Sequence, residues 1–119
     1  MRGFFGFGSP IIELVIKKRK IDFLLDTGFN GYIMLPKKLI SELDLDEIGF
    51  SDYVTASGEK KETTVYKVDI EFLDEKMEVP VLSTDGNFSL AGMDLFKNCK
   101  IVIERNSNTV EIIKTSVTV

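Results

Sequence analysis

The sequence predicts an all-β protein with a small closed or folded-over sheet (a β-barrel), two short helices and one long hairpin. Three observations predict this fold class. Apolar runs rich in β-branched residues recur along the 119 residues, as is typical of strands. Clusters of glycine, asparagine, aspartate and serine separate these runs and indicate turns. Helical spacing of apolar residues is confined to two short segments. A chain of this length buries one core, so we expect a single domain.

The first half of the chain is predicted to form three strands and a helix. The strands lie at residues 10–16, 21–25 and 32–35. A basic turn at residues 17–20 joins the first two strands. Pro36 then begins a helix over residues 37–44, because proline is tolerated in a first helical turn and the apolar residues that follow share one face.

The second half is predicted to consist of strands with one more short helix. The strands lie at residues 50–56, 61–73, 79–82, 88–92, 100–104 and 109–113. The first two form the arms of the long hairpin, whose tip at residues 57–60 combines turn residues with charges that favour exposure. Asp94 is expected to N-cap the second helix, over residues 95–98.

The predicted domain covers residues 10–113 and leaves a short segment at each end. The N-terminal segment, residues 1–9, carries phenylalanines between glycines, and we interpret it as an arm or a strand rather than a disordered tail. The C-terminal segment, residues 114–119, is rich in β-branched residues and is either an interface strand or a frayed tail.

Missing residue types exclude several chemistries. The chain has no histidine, which rules out Ser-His-Asp and Cys-His catalysis and every histidine-based metal site. The single cysteine, Cys99, cannot form an intramolecular disulfide. Its apolar neighbours indicate a core thiol rather than a reactive one.

Charge and hydropathy narrow the possible partners. The net charge is −4, so we expect no nucleic-acid partner, and we interpret the basic residues 17–20 as a solvated turn rather than a phosphate-binding patch. The apolar runs stay far short of a membrane span of about 20 residues. The glycine-broken N-terminus is too short for a signal peptide. We therefore expect no membrane partner and a cytoplasmic location.

The most informative segment lies at the end of the second predicted strand, where an apolar run stops at Asp26. Thr27 and Gly28 follow at once. A carboxylate at the end of a buried strand is costly unless hydrogen bonds or a partner compensate it. Glycine lets another chain or a ligand approach closely. The pattern predicts a working carboxylate at the floor of a site; the alternative is a structural aspartate that accepts backbone N–H bonds at a turn.

Three segments together carry a resemblance to a known family. In Leu24-Leu25-Asp26-Thr27-Gly28 an Asp-Thr-Gly triplet follows an apolar strand. Phe88-Ser89-Leu90-Ala91-Gly92-Met93-Asp94 is a later apolar segment with a glycine, and the hairpin between the two has Ala56-Ser57-Gly58 at its tip. In this order they resemble the active-site motif, the flap and the hydrophobic-hydrophobic-glycine segment behind the catalytic loop of the retropepsin-like (retroviral-type, single-domain) aspartic proteases, above all of the bacterial and archaeal members. The likeness covers residues 10–113.

The resemblance implies the acid-protease fold and an aspartic endopeptidase that acts on peptides or unfolded proteins, without metal or cofactor. Hydrolysis by carboxylates needs two of them, one ionised to take a proton from water and one protonated to polarise the carbonyl. The chain has one Asp-Thr-Gly triplet; the segment 84–86 has a different order and is interpreted as a turn. The second Asp26 is therefore expected from another copy of the chain, in a homodimer.

The resemblance also implies the roles of the site residues. Asp26 of each subunit would activate water, the Thr27 hydroxyl would bond across the twofold axis, and the Gly28 carbonyl would lie close to the substrate backbone. The implied flap tip consists of Ala56, Ser57 and Gly58, for which an ordinary hairpin turn is the alternative. The implied support beneath the catalytic loop consists of Leu90, Ala91 and Gly92.

Two positions depart from the viral pattern. Viral relatives usually carry an acidic residue two places after the glycine of the triplet and an arginine just after the later glycine. Asn30 and Met93 stand at these positions. Both charged residues are absent together, so neither charge is left without its partner. A dimer of this chain must therefore be stabilised by contacts other than this ion pair. The alternative function is a catalytically silent retropepsin-like module that binds a peptide or protein in the same cleft; the intact triplet favours the peptidase.

Overall fold

Strands dominate the part of the chain that the computed structural model describes, residues 1–115, and the predicted all-β class is confirmed. The strands are β1 (Arg2–Gly6), β2 (Ser9–Ile16), β3 (Arg19–Leu25), β4 (Ile33–Pro36), β5 (Asp46–Val54), β6 (Lys60–Phe72), β7 (Glu75–Thr84), β8 (Ser89–Ala91), β9 (Cys99–Glu104) and β10 (Thr109–Lys114). Helix α1 spans Lys37–Leu43, and a 3-10 helix spans Met93–Phe96. Neither helix in the described part is long and apolar enough to cross a membrane. Most of the predicted C-terminal strand or tail, residues 116–119, lies outside the described residues.

The ten strands join one sheet in the order β5-β6-β7-β4-β8-β3-β2-β1-β10-β9. The first and last of these strands are its edges and do not pair with each other within residues 1–115, so of the two predicted alternatives, a closed and a folded-over sheet, the closed barrel is not formed. The sheet folds over instead, because β2 packs against β6 although β7, β4, β8 and β3 lie between them in the order. Strand twist lets a long sheet bring its inner faces onto one core without joining its edges.

Alternation of side chains along the strands builds this core. In β2 the side chains of Ile12, Leu14 and Ile16 are buried, whereas Glu13 is exposed. The second half of β6 alternates in the same way, as expected of strands with one face on the core. β4 differs, because its first three side chains are all buried between β7 and β8. β4 is therefore an interior strand, which joins β7 to β8 in the middle of the sheet.

Helix α1 confirms the predicted helix after Pro36. Its apolar side chains Ile40 and Leu43 are buried, and Asp44 ends the helix in a left-handed conformation with φ 51°. The Nζ of Lys17, in the β2–β3 turn, donates to the carbonyl oxygens of Leu43 at 2.9 Å and Asp44 at 3.0 Å. The basic turn therefore satisfies carbonyl groups that the helix end leaves open.

The second helix begins earlier than predicted. Gly92 holds the N-cap position, and Asp94 lies in the first turn without a side-chain capping bond. The expected capping role of Asp94 is therefore wrong. The backbone N–H groups of Met93 and Asp94 instead bond to carbonyls of the loop that follows β3, and these bonds draw the start of the helix toward Gly92.

β1 places the N-terminal residues inside the sheet, between β2 and β10. Phe5 pairs with Pro10 of β2, and Gly3 pairs with Val110 of β10. The Arg105 guanidinium lies 4.5 Å from the centre of the Phe5 ring, a distance at which a cation attracts an aromatic face. Most of the segment before residue 10 is thus a strand, which pairs with β2 on one side and with β10 on the other.

Candidate active site

Asp26 follows β3 at the point where three strands meet. β8 lies between β3 and β4, parallel to the first and antiparallel to the second. The backbone N–H of Asp26 donates to the carbonyl oxygen of Ala91 at 2.9 Å, which continues the β3–β8 pairing by one residue. The loop that leaves β3, residues 26–32, therefore starts from a fixed point in the middle of the sheet.

A second set of backbone bonds holds this loop from behind. The donors are three consecutive N–H groups: Gly92 bonds to Tyr32 at 2.8 Å, Met93 to Phe29 at 2.8 Å and Asp94 to Gly31 at 3.2 Å. A Cβ on Gly92 would overlap the carbonyl oxygen of Gly31 and lie 2.6 Å from a ring carbon of Phe29. The close approach of the two backbones therefore requires a glycine at residue 92.

The Asp26 carboxylate is half-buried and bonds within its own loop. Its Oδ1 accepts from the backbone N–H of Gly28 at 2.9 Å. A structural aspartate would make the same bond, so hydrogen bonding does not separate the two interpretations of Asp26. Its surroundings are more informative, because Asp26 lines an open cleft.

This cleft has a volume of about 880 Å³ and lies between the Asp26 loop and the β5–β6 hairpin. Four residues predicted for the site line it together: Asp26 and Gly28 from the loop, Ala56 from the hairpin tip, and Leu90 from β8. Pockets of 300–1,000 Å³ are typical of ligand sites. The cleft is therefore large enough for several side chains of an extended peptide.

The other five predicted residues lie around this cleft rather than on its wall. Thr27 is exposed beside Asp26, and Ser57 and Gly58 are exposed at the hairpin tip. Ala91 and Gly92 are buried behind the loop. The roles given to these residues by the resemblance stay predictions.

The hairpin tip is a well-defined turn. The N–H of Thr55 donates to the carbonyl of Glu59 at 2.9 Å, and the N–H of Gly58 donates to the carbonyl of Thr55 at 2.9 Å. The Thr55 and Ser57 hydroxyls lie 3.0 Å apart. Gly58 has φ 83°, a conformation that glycine adopts without strain. Behind this turn the two arms pair as far back as Asp46, and from Val65 onward β6 also pairs with β7.

Most of the cleft wall lies outside the predicted site residues. The missed residues include Met34, Leu82 and Thr84 from β4 and β7, and Ser51, Asp52 and Lys61 from the hairpin. β4 and β7 pair in parallel across a long stretch of chain, and short-range patterns do not reveal such a pairing. Of the hairpin residues, Ser51 and Lys61 could have been found, because side chains on one face of a strand recur at every second residue; Asp52 lies on the opposite face and has no such signal.

Asn30 and Met93 hold the two positions that depart from the viral pattern, and both are exposed. The backbone bond from Met93 to Phe29 joins the two segments directly beside them. The loop is therefore attached to the segment after β8 by its backbone, without a charged side-chain pair.

Solved structures of retropepsin-like aspartic proteases have the same fold. The alignment with a retropepsin-like aspartic protease from Rickettsia conorii covers 97% of this chain and 89% of that one, at 22% identity and a TM-score of 0.68. EIAV protease, solved with the inhibitor HBY-793, aligns over 75% of this chain and 86% of its own, at 20% identity and a TM-score of 0.64.

A larger protein contains the same fold as one of its parts. The foamy viral protease-reverse transcriptase, solved with an RNA/DNA hybrid, aligns over 73% of this chain at 20% identity and a TM-score of 0.57. This chain spans 11% of the length of that protein. No family model and no curated protein matches the sequence. The likeness at this identity is one of fold, and it confirms the fold that the sequence motifs predicted.

Proposed function

We propose that this chain, whose fold is that of the retropepsin-like aspartic proteases, is an aspartic endopeptidase that acts as a symmetric homodimer. The observation that carries the proposal is the position of Asp26, from the chain's one Asp-Thr-Gly triplet, on a cleft that a long hairpin borders on the other side. The substrate is an extended segment of a peptide or an unfolded protein. A protease of this kind uses water and carboxylates, without metal or cofactor.

The mechanism requires Asp26 of both subunits. Two carboxylates within hydrogen-bonding distance do not both ionise, because their like charges repel, so the pair shares one proton. The ionised Asp26 takes a proton from the attacking water, and the protonated one polarises the scissile carbonyl. The Gly28 N–H bond to Asp26 Oδ1 holds the carboxylate in place for this reaction.

The surface beside Asp26 supports the approach of a second subunit. Thr27, Asn30 and Met93 are exposed there and carry no charge, so a twin chain could cover them without burying an unpaired charge. In this arrangement the Thr27 hydroxyl bonds across the twofold axis. The tip residues 56–58 close over the peptide and exclude water.

Cleavage of unfolded casein between acid and neutral pH tests the chemistry. Wild type is expected to cleave, and Asp26→Asn is expected to lose about 10²- to 10⁴-fold in rate, the range for a missing acid or base. Asp22→Asn is the matched control, because Asp22 is an exposed aspartate of β3, the strand that leads into Asp26. Cleavage retained by Asp26→Asn would overturn the site assignment. Absence of cleavage in every variant would favour the silent binding module.

Subunit mixing tests the shared site. In a dimer with one active site, an excess of Asp26→Asn subunits exchanges into wild-type dimers and removes their activity, whereas an excess of Asp22→Asn leaves it unchanged. Sedimentation of the wild type is expected to give twice the mass of one chain. A strict monomer at micromolar concentration, or activity that Asp26→Asn subunits do not suppress, would contradict the homodimer. The cytoplasmic location stays a prediction.

A further inference from the structure

Lys61 lies on the face of the β5–β6 hairpin that looks toward the cleft. Side chains of β6 alternate between two faces. Thr63, on the same face as Lys61, is buried with its hydroxyl 2.7 Å from that of Ser83, and Lys61, Thr63 and Ser83 border a small recess beside the cleft. Lys61 is two residues nearer the tip and lines the cleft together with Asp26. Lys60, its neighbour in the chain, belongs to the opposite, outer face by this alternation and does not line the cleft.

The ammonium group of Lys61 is not matched by a carboxylate of its own. Salt bridges within 4.0 Å join three pairs among the described side chains, and Lys61 belongs to none of them. Asp85 is bonded to Lys37 at 2.8 Å. The pKa of Asp85 is lowered chiefly by this hydrogen bond, and more weakly by the charge of Lys61. Two lysines therefore act on one carboxylate, in the small recess that Lys61 also borders.

The remaining charges of the cleft wall are acidic. Asp26 lies on the floor, and Asp52 lies at the margin, where it pairs with Glu62 on the outer face of the hairpin. Among the described residues of the wall, Lys61 is the one cation. An acidic side chain in the cleft is therefore repelled by Asp26 and Asp52 and attracted by Lys61 alone.

We infer that Lys61 makes the cleft selective for peptides that carry a glutamate or aspartate at the position that reaches its ammonium group. This inference rests on the proposed function and adds a substrate class to it. A charge-assisted bond between ammonium and carboxylate is stronger than a neutral one. It gains further strength when the closing hairpin excludes water, because the local dielectric falls.

A homodimer would present this preference twice. Each subunit contributes one Lys61, on opposite sides of the twofold axis, so the favoured peptides carry acidic residues on either side of the scissile bond. Repulsion by Asp26 and Asp52 disfavours acidic residues at other positions. The expected specificity is therefore a preference for acidic residues at defined positions of the peptide. It is not a general preference for acidic peptides.

Paired peptides test this inference. The starting peptide is one that wild type releases from casein, extended across its cleavage site, and each position is replaced in turn by Glu and by its neutral isostere Gln. At one or more positions wild type is expected to cleave the Glu peptide with about tenfold higher kcat/KM than the Gln peptide, the gain of one charged hydrogen bond. Added salt is expected to reduce this ratio, because salt screens charges.

Three variants assign the preference to its residue. Lys61→Gln is expected to bring the Glu-to-Gln ratio to about one, and Lys61→Glu to bring it below one, while the Gln peptides are still cleaved. Lys60→Gln makes the same charge change on the outer face of the same strand and is expected to keep the wild-type ratio. A ratio near one at every position in wild type, or a ratio that Lys61→Gln retains, would overturn the inference.

A binding measurement separates this inference from the protease proposal. If wild type cleaves no casein, the proposed hydrolysis fails, and fluorescence anisotropy with pools of fixed-length Glu and Gln peptides then decides the role of Lys61. Tighter binding of the Glu pool by Asp26→Asn, lost in the Asp26→Asn, Lys61→Gln double variant, would support an acidic-peptide site. Equal binding of the two pools would overturn it.

Discussion

The backbone N–H of Asp26 donates a 2.9 Å hydrogen bond to the carbonyl oxygen of Ala91. This bond joins the first residue of the candidate site to the last residue of β8, a strand far along the chain. The next residue, Gly92, donates to Tyr32 at the other end of the same loop. The loop that carries Asp26 is thus held at both ends by two consecutive residues.

Gly92→Ala is expected to destabilise the protein and to displace the Asp26 loop. The added Cβ would overlap the carbonyl oxygen of Gly31 and lie 2.8 Å from that of Phe29. Backbone atoms cannot rotate away as side chains can, so we expect a loss of about 1–3 kcal/mol in the free energy of unfolding, as for overpacked sites. Urea denaturation measures it.

Gly86→Ala is the matched control for this substitution. A Cβ on Gly86 would have Thr84 Oγ1 as its nearest neighbour, at an ordinary contact distance of 3.4 Å. We expect a change within about 0.5 kcal/mol, as for a surface substitution. Equal stabilities of the two alanine variants would contradict the close approach of the two backbones at Gly92.

Local sequence patterns predicted many of the strands and helices of this fold. They did not predict which strands pair across long stretches of the chain. The β2–β3 hairpin and α1 follow from apolar periodicity and from Pro36. The position of β8 between β3 and β4 depends on segments that are distant in sequence, and neither this position nor the edges of the sheet has a local signal. The sequence therefore left both a closed and a folded-over sheet open.

One strand boundary shows the same limit at short range. β7 begins at Glu75, earlier than predicted, because a two-residue turn joins it directly to β6. Leu73 and Asp74 form this turn with φ 52° and 64°. Left-handed turns of this type usually pair asparagine or aspartate with glycine, so Asp74 beside Leu73, without a glycine, is only a weak turn signal. The candidate site shows the same limit. The Asp-Thr-Gly motif predicted the floor of the cleft, whereas the side wall from β7 depends on the pairing of β7 with β4, which no sequence motif indicates.

Lys18→Gly is expected to stabilise the protein. Lys17 and Lys18 form the β2–β3 turn with φ 50° and 67°, and a left-handed conformation costs a residue with a side chain about 1–2 kcal/mol. Glycine removes this cost but adds backbone entropy to the unfolded chain, worth about 0.5–1 kcal/mol. We expect a net gain of up to about 1 kcal/mol, measured by urea denaturation.

The control for Lys18→Gly lies two residues away in β3. Lys20 is exposed and has an ordinary strand conformation, so Lys20→Gly is expected to lose about 0.5–1 kcal/mol. Lys17 stays unchanged in both variants because it bonds to the end of α1. A loss of stability in Lys18→Gly would show that its backbone conformation is not strained.

Cys99 is expected to react slowly with iodoacetamide. Burial raises the pKa of its thiol, and the charge of Lys114 offsets this only in part. The thiolate is the reactive form, so the rate of alkylation is expected to rise at higher pH than for the urea-unfolded chain, which serves as the control. Because the folded pKa is the higher one, any stability linked to this thiol is present below the unfolded pKa and is lost as pH rises through the folded pKa. Equal alkylation profiles would contradict the shift.

Thr63→Val is expected to destabilise the contact between the β5–β6 hairpin and Ser83 of β7. The buried Thr63 hydroxyl donates to the carbonyl oxygen of Ser83 at 2.9 Å and lies 2.7 Å from the Ser83 hydroxyl. Valine keeps the shape but leaves both Ser83 groups without this partner, at a cost of about 1–3 kcal/mol in the free energy of unfolding. Urea denaturation measures the loss, and Thr63→Ser, which keeps the hydroxyl, is expected to lose less.

The double variant Thr63→Val, Ser83→Ala distinguishes a lost hydrogen bond from poor packing. If the cost arises from the stranded Ser83 hydroxyl, removing that hydroxyl is expected to recover part of the stability, because replacing both partners by apolar groups is cheaper than replacing one. If the two losses simply add, the side chains are not coupled. Thr63 lies on the face of β6 that also carries Lys61. Loss of the Thr63 hydrogen bonds is therefore expected to weaken peptide selectivity together with stability.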